Sequence, residues 1–228
     1  MRIIIAIAIL VATRPADAKG CHEVSDVVGL QHCSRYGLWS RDADTPRLWV
    51  QAEYFHHRFM AAPFTLGTAA LSTSSQPVDL TNVAEGAAFR TLVGVGPFLY
   101  MGGEMLVGGI SQMPRIVGNQ PNDSVYMGMH SVVGAHVERY RFALSGELAG
   151  GFRAAGWIYC VPGTDCKGVN NYSETQARWE LQARLRLDAY IHPNWSVGVT
   201  YGVGLLDSND RMLMVGTAIH ARVMDGMW

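Results

Sequence analysis

The chain has 228 residues, 16% of them charged, 25 glycines and a formal net charge of −1. That balance offers nothing to a polyanion and argues against nucleic-acid binding. Charged content lies below the ~25% usual in soluble domains. Beyond the N-terminus no apolar run reaches ~18 residues, which excludes a spanning helix in the mature chain and leaves spanning strands open.

Residues 1–18 read as a secretory signal: Arg2 is basic, Ile3 to Ala12 is an apolar core, and Ala16-Asp17-Ala18 predicts cleavage after Ala18. Arg14 and Pro15 end the apolar run too early for a retained anchor helix, which needs ~20 residues. Lys19 stands where a lipoprotein signal would need a small apolar residue before Cys21. In an exported chain, four cysteines suggest disulfides: Cys21 with Cys33, and Cys160 with Cys166. Each short loop would contribute about 2–3 kcal/mol. Cys21-His22 mirrors His32-Cys33, which admits a zinc site. Adjacent ligands rarely both reach one tetrahedral ion, however, and an oxidising compartment favours the disulfide.

From Arg47 onward the sequence alternates. The first predicted strand is Arg47 to Met60, with Leu48, Val50, Ala52 and Tyr54 opposite Arg47, Gln51, Glu53 and His57. The second is Ala87 to Gly96, with Phe89, Val93 and Val95 opposite Arg90. The third is Met101 to Met113, with Met105 and Val107 opposite Glu104. The fourth is Ser124 to Glu138, with Val125, Met127, Met129, Val133 and Val137 opposite His130, His136 and Glu138. The fifth is Phe142 to Tyr159, with Phe142, Leu144, Leu148 and Phe152 opposite Ser145, Glu147 and Arg153.

The sixth predicted strand, Glu174 to Ile191, is the most regular. Glu, Gln, Arg, Leu and Ala favour helices, yet every even position is polar or Tyr190 and every odd one from Ala177 is apolar. A helix would smear that pattern around its circumference; a strand sorts it onto two faces. Leu181, Leu185 and Leu187 lie on one face, and Arg178, Glu180, Arg184, Arg186 and Asp188 on the other. The twelve steps from Trp179 to Ile191 rise about 30 Å at ~3.3 Å per residue and ~40° tilt, close to the apolar band of a membrane barrel. The seventh strand is Trp195 to Leu206, with Val197, Val199, Tyr201, Val203 and Leu205 opposite Ser196 and Thr200. The eighth is Asp210 to Val223, with Leu213, Val215 and Ile219 opposite His220 and Arg222.

The connections alternate in length. Ala61 to Gly86, Pro114 to Asp123 and Cys160 to Ser173 are long; Pro97 to Tyr100, Arg139 to Arg141 and His192 to Asn194 are short. Asp207 to Asn209 alone is brief where a long one is due. Phe142, Ile191 and Trp195 flank the short turns, and Phe152, Trp157 and Trp179 the long-loop rim, as two aromatic girdles would.

With its signal, eight alternating strands, loop asymmetry and terminal Trp228, the chain resembles the small eight-stranded bacterial outer-membrane barrels, the class of the OmpA transmembrane domain and the OmpX and OmpW proteins. The resemblance is architectural and covers residues 47–228. It implies an all-β, antiparallel up-and-down transmembrane barrel with short periplasmic turns and longer outer loops. It also implies a monomer in contact with outer-membrane lipids. Met227-Trp228 would be the signal read by the barrel assembly machinery, although Trp228 is out of register with Leu213, Val215 and Ile219. Residues 19–46 would form a disulfide-closed periplasmic or plug segment. Leu181, Leu185, Leu187, Val197, Val199 and Tyr201 would face lipid, between girdles that include Phe142, Trp179 and Trp195.

The opposite face would line the lumen. It carries Arg47, Arg90, Arg153, Arg178, Arg184, Arg186 and Arg222 against Glu53, Glu104, Glu138, Glu147, Glu174, Glu180 and Asp188. A selective pore favours one sign; balanced charges suggest a paired, plugged interior. No cofactor, metal or catalytic set stands out. His56 and His57 point to opposite faces, and His130 and His136 are roughly 20 Å apart along one strand. His130 and Ser131 also diverge, and no G-x-S-x-G elbow occurs. The expectation is a non-enzymatic barrel with a structural or surface-interaction role through its outer loops. A small channel and a lipid-modifying enzyme are weaker readings. A soluble lipocalin-like barrel with its apolar face inward remains the rival, because alternation does not say which face is inside.

Overall fold

In the computed structural model the described residues are 47–61, 81–95, 98–112, 120–139, 142–160, 171–192 and 195–222. The expectations for the signal, residues 19–46, Cys21, Cys33, Cys166 and Trp228 lie outside them, as do the side chains of Arg47, Cys160 and Arg222. Eight strands form: β1 (Arg47–Met60), β2 (Thr81–Val95), β3 (Leu99–Gln112), β4 (Gln120–Arg139), β5 (Phe142–Cys160), β6 (Asn171–His192), β7 (Trp195–Gly204) and β8 (Arg211–Arg222). Each pairs antiparallel with its sequence neighbour. β8 returns to β1, from Arg47↔Arg222 to Arg58↔Arg211, and closes the barrel. Closure removes the unpaired edges that an open sheet would expose.

Several strands begin before the apolar alternation does. β2 starts at Thr81 rather than Ala87, β4 at Gln120 rather than Ser124, and β6 at Asn171 rather than Glu174. These ends are polar and read as loop. Pairing carries them on, as in Met60↔Thr81, Gln120↔Cys160 and Cys160↔Asn171. Pro121, which cannot donate to a ladder, sits at a register shift between Pro121 and Asp123.

The long-connection rim is uneven. β4, β5 and β6 have 20, 19 and 22 residues, whereas β7 has 10 and β8 has 12. The β6–β7 ladder starts only at Gln182↔Gly204. One further bond, from Leu205 N–H to the Leu181 carbonyl at 2.7 Å, joins β6 to the β7–β8 turn; above it the ladder of β6 is with β5, so β4–β6 rise as a wall above that turn. That turn is closed by Gly204 N–H donating to the Asp210 carbonyl at 3.0 Å.

Burial decides the two faces. Val50, Tyr54, Phe89, Met105, Met129, Val133, Leu148 and Val215 are exposed on the outside. Glu53, Arg90, Glu104, Glu147, Arg184 and Arg186 are buried inside. Two apolar clusters also fill the interior. Trp49, Leu92, Tyr100, Val132 and Ala149 pack toward the short-turn end. Phe55, Phe59, Leu106, Ile110, Tyr126 and Trp157 belong to a larger cluster toward the long-connection end. Tyr100 lies over its cross-strand partner Gly134, where a Cβ would come within 2.4 Å of the ring. Glycine is what gives that ring its space.

Candidate functional site

Between the two apolar clusters runs a belt of buried charge. Inward alternation on β1, β2, β3, β5 and β6 aims Glu53, Arg90, Glu104, Glu147 and the β6 arginines at one another. Arg90 donates to Glu147 Oε2 at 2.6 Å, and its other nitrogens lie 3.1 Å from Glu104 and 3.7 Å from Glu53. The Tyr100 hydroxyl donates to the second Glu147 oxygen at 2.7 Å. Arg184 grips Glu104 with both terminal nitrogens, at 2.6 and 2.9 Å. Such a fork is the strong form of the carboxylate–guanidinium pair. Arg186 holds Asp188 at 2.7 and 2.8 Å, donates to Thr200 at 3.0 Å and also pairs with Glu53.

Gly198, opposite Asp188 on β7, leaves room for that last cluster. A Cβ there would lie 2.3 Å from Asp188 Oδ1 and 2.7 Å from Arg186 Nη2.

Toward the long-connection end the belt changes character. His130 sits between two carboxylates, with Nδ1 2.9 Å from Glu104 and Nε2 3.2 Å from Glu180. Arg153 Nη1 rests 2.5 Å from Glu180 Oε1, with its guanidinium 4.2 Å above the Phe59 ring. His57 joins the Tyr126 hydroxyl through Nδ1 at 2.5 Å and Asp210 through Nε2, and Glu180 Oε1 lies 4.0 Å from that same Nε2. Gln182 Nε2 donates to Asp210 at 3.4 Å. Asp210 comes from the short β7–β8 turn, and its main chain is tied to Asp207.

Of the predicted lumen residues, Glu53, Arg90, Glu104, Glu147, Arg153, Glu180, Arg184, Arg186 and Asp188 are brought together inside. Arg178 is exposed. It lies on the part of β6 beyond Gln182↔Gly204, where the ladder with its neighbour β7 ends. The side chains of Arg47, Glu138 and Arg222, which belong to the expected balance of signs, lie outside the described residues. The described interior buries six carboxylates, Asp210 included, against four guanidiniums.

Trp157, expected at a girdle, is 1% exposed and donates to Asn82 Oδ1 at 2.9 Å inside the barrel. Phe142, Trp179 and Trp195 are exposed on the outside at opposite ends of the strands. Leu181, Leu185, Leu187, Val197, Val199 and Tyr201 are exposed on the outer face between them. Strand parity could have placed Trp49, Phe55 and Phe59 inside, since they share it with Gln51, Glu53 and His57. Nothing in local spacing signals Asp210, which reaches the lumen from a turn.

The fold and its interior define a closed eight-stranded barrel filled by side chains, apolar outside and charged at mid-height within. No family model and no curated protein matches the chain. Among solved structures, it is similar to Ail, the attachment invasion locus protein of Yersinia pestis. Identity is 13%, coverage 78% of this chain and 99% of that one, and the TM-score 0.48. Neisserial surface protein A gives 10%, 77%, 96% and 0.47. The outer membrane protein OprG from Pseudomonas aeruginosa gives 8%, 78%, 97% and 0.42. At this level of similarity no property is carried over, and the barrel assignment rests on the chain's own pairing register.

Proposed function

We propose that the protein is an integral outer-membrane barrel with a structural or surface-interaction role, its lumen closed to flow by side chains. The observation that supports this is the inverted polarity of the wall. Large apolar side chains such as Leu148, Leu185, Val199 and Ile219 point outward, and the guanidiniums and carboxylates point inward. Water would penalise that outer belt, whereas hydrocarbon accepts it, and strands of a closed barrel satisfy their backbone without water. A soluble ligand-binding barrel needs the reverse arrangement.

Recognition belongs to the long-connection end, where β4–β6 stand above the rest and the loops between strands are carried. Residues 62–80 and 161–170 are the connections that would contact a surface ligand. The ion pairs and two apolar clusters leave the wall as a support for those loops, and none of the buried groups is assigned a catalytic role. The N-terminal signal, the paired cysteines and a monomeric state complete the reading.

The test is fractionation of cells expressing the chain with its own N-terminus, followed by electrophoresis of unheated and boiled samples. A detergent-extracted outer-membrane product whose mobility shifts on boiling is expected. A periplasmic or secreted product soluble without detergent would overturn the proposal.

A further inference from the structure

His57, Glu180 and Asp210 come from β1, β6 and the β7–β8 turn, yet they offer one imidazole nitrogen and two carboxylate oxygens within 4.8 Å of one another. All three residues are buried. Two of them are also held from behind: Tyr126 engages the far nitrogen of His57 at 2.5 Å, and His130 engages the second oxygen of Glu180 at 3.2 Å. Asp210 Oδ1 contacts His57 Nε2 and accepts from Gln182 at 3.4 Å. Outer partners of this kind fix tautomer and orientation in metal sites.

Charge points the same way. Among the described residues the interior buries six carboxylates against Arg90, Arg153, Arg184 and Arg186. Counted against guanidiniums alone, carboxylates are in excess by two there, with the imidazoles of His57 and His130 buried beside them, and buried charge without a partner is costly. Arg90, Arg184 and Arg186 are engaged with Glu53, Glu104, Glu147 and Asp188. The guanidinium that pairs with the Glu180 and Asp210 carboxylates is Arg153, 2.5 Å from the first and 3.9 Å from the second, while Arg211 donates to the Asp210 main-chain carbonyl at 2.8 Å.

We propose that His57, Glu180 and Asp210 form a binding site for one first-row divalent cation of the zinc class. Calcium prefers six to eight oxygens, whereas an imidazole with two carboxylates suits zinc and its neighbours and leaves a fourth position for water. Arg153 is the competing cation on Glu180. Removing its charge should therefore tighten metal binding, an effect that a purely structural ion-pair cluster does not produce.

The full chain, folded in detergent and stripped with chelator, is titrated with zinc chloride by calorimetry. Bound zinc is then counted by elemental analysis after gel filtration. Asp210→Asn, His57→Gln and Arg153→Gln are compared, with folding of each read by circular dichroism. The unmodified protein is expected to bind one more equivalent than Asp210→Asn or His57→Gln. Arg153→Gln should bind at least threefold more tightly than the unmodified protein. Identical stoichiometry and affinity in the folded variants would overturn the site. Should Asp210→Asn fail to fold, unchanged zinc binding in His57→Gln and Arg153→Gln overturns the site equally.

Discussion

Arg90 shows what one residue does in a narrow barrel. It is 1% exposed and lies among Glu53, Glu104 and Glu147. Arg90→Met would leave Glu147 without its guanidinium, while Glu104 keeps Arg184 and Glu53 keeps Arg186; removal of one partner from a buried pair costs about 3–5 kcal/mol. Glu147→Gln keeps an acceptor for Tyr100 and removes only one charge, so its loss should be smaller. Urea midpoints of the folded barrel in vesicles should fall in the order unmodified, Glu147→Gln, Arg90→Met; equal midpoints would remove the belt from the stability account. The residue types of this belt were readable from alternation. Their partners were not, because Arg184 and Glu104 are 80 positions apart and meet only across the lumen.

Among elements, β6 carries the clearest information. Strict alternation over Ala177 to Ile191 marks a strand despite helix-forming residues, and the strand is there with Leu181, Leu185 and Leu187 outward. Leu185→Arg would put a charge in the middle of the outer belt, which costs about 2–4 kcal/mol if that belt lies at the bilayer midplane. Arg178→Ala, on the exposed rise above β7, should change stability by less than about 0.5 kcal/mol. The two variants, refolded into vesicles and titrated with urea, should differ accordingly; equal stability would argue that the outer belt does not contact hydrocarbon. Parity also assigned Arg178 to the lumen. Arg178 is exposed all the same, because parity gives direction only, and β7, the neighbour of β6, ends its ladder at Gln182↔Gly204.

For the whole molecule, the stacking of an apolar cluster, a charged belt and a second apolar cluster along the axis matters most. Eight-stranded barrels have interiors that side chains can fill. Phe55, Phe59, Tyr126 and Trp157 fill this one above the belt, and Trp49 and Tyr100 below it. Protein reconstituted in planar bilayers is expected to show no steady single-channel conductance. Reproducible ohmic steps, scaling with salt, would mean that the clusters part in the membrane.

The strand class, the two chemically distinct faces and the asymmetry of the connections were legible in the sequence, because side-chain alternation and chain length between strands are local properties. Contacts between distant strands settled which face is inside and that β8 closes onto β1. They also decided that Asp210 joins His57 and Glu180. Those outcomes depend on contacts between residues far apart in the chain: His57 and Asp210 are 153 positions apart, and only closure of the wall brings them within reach.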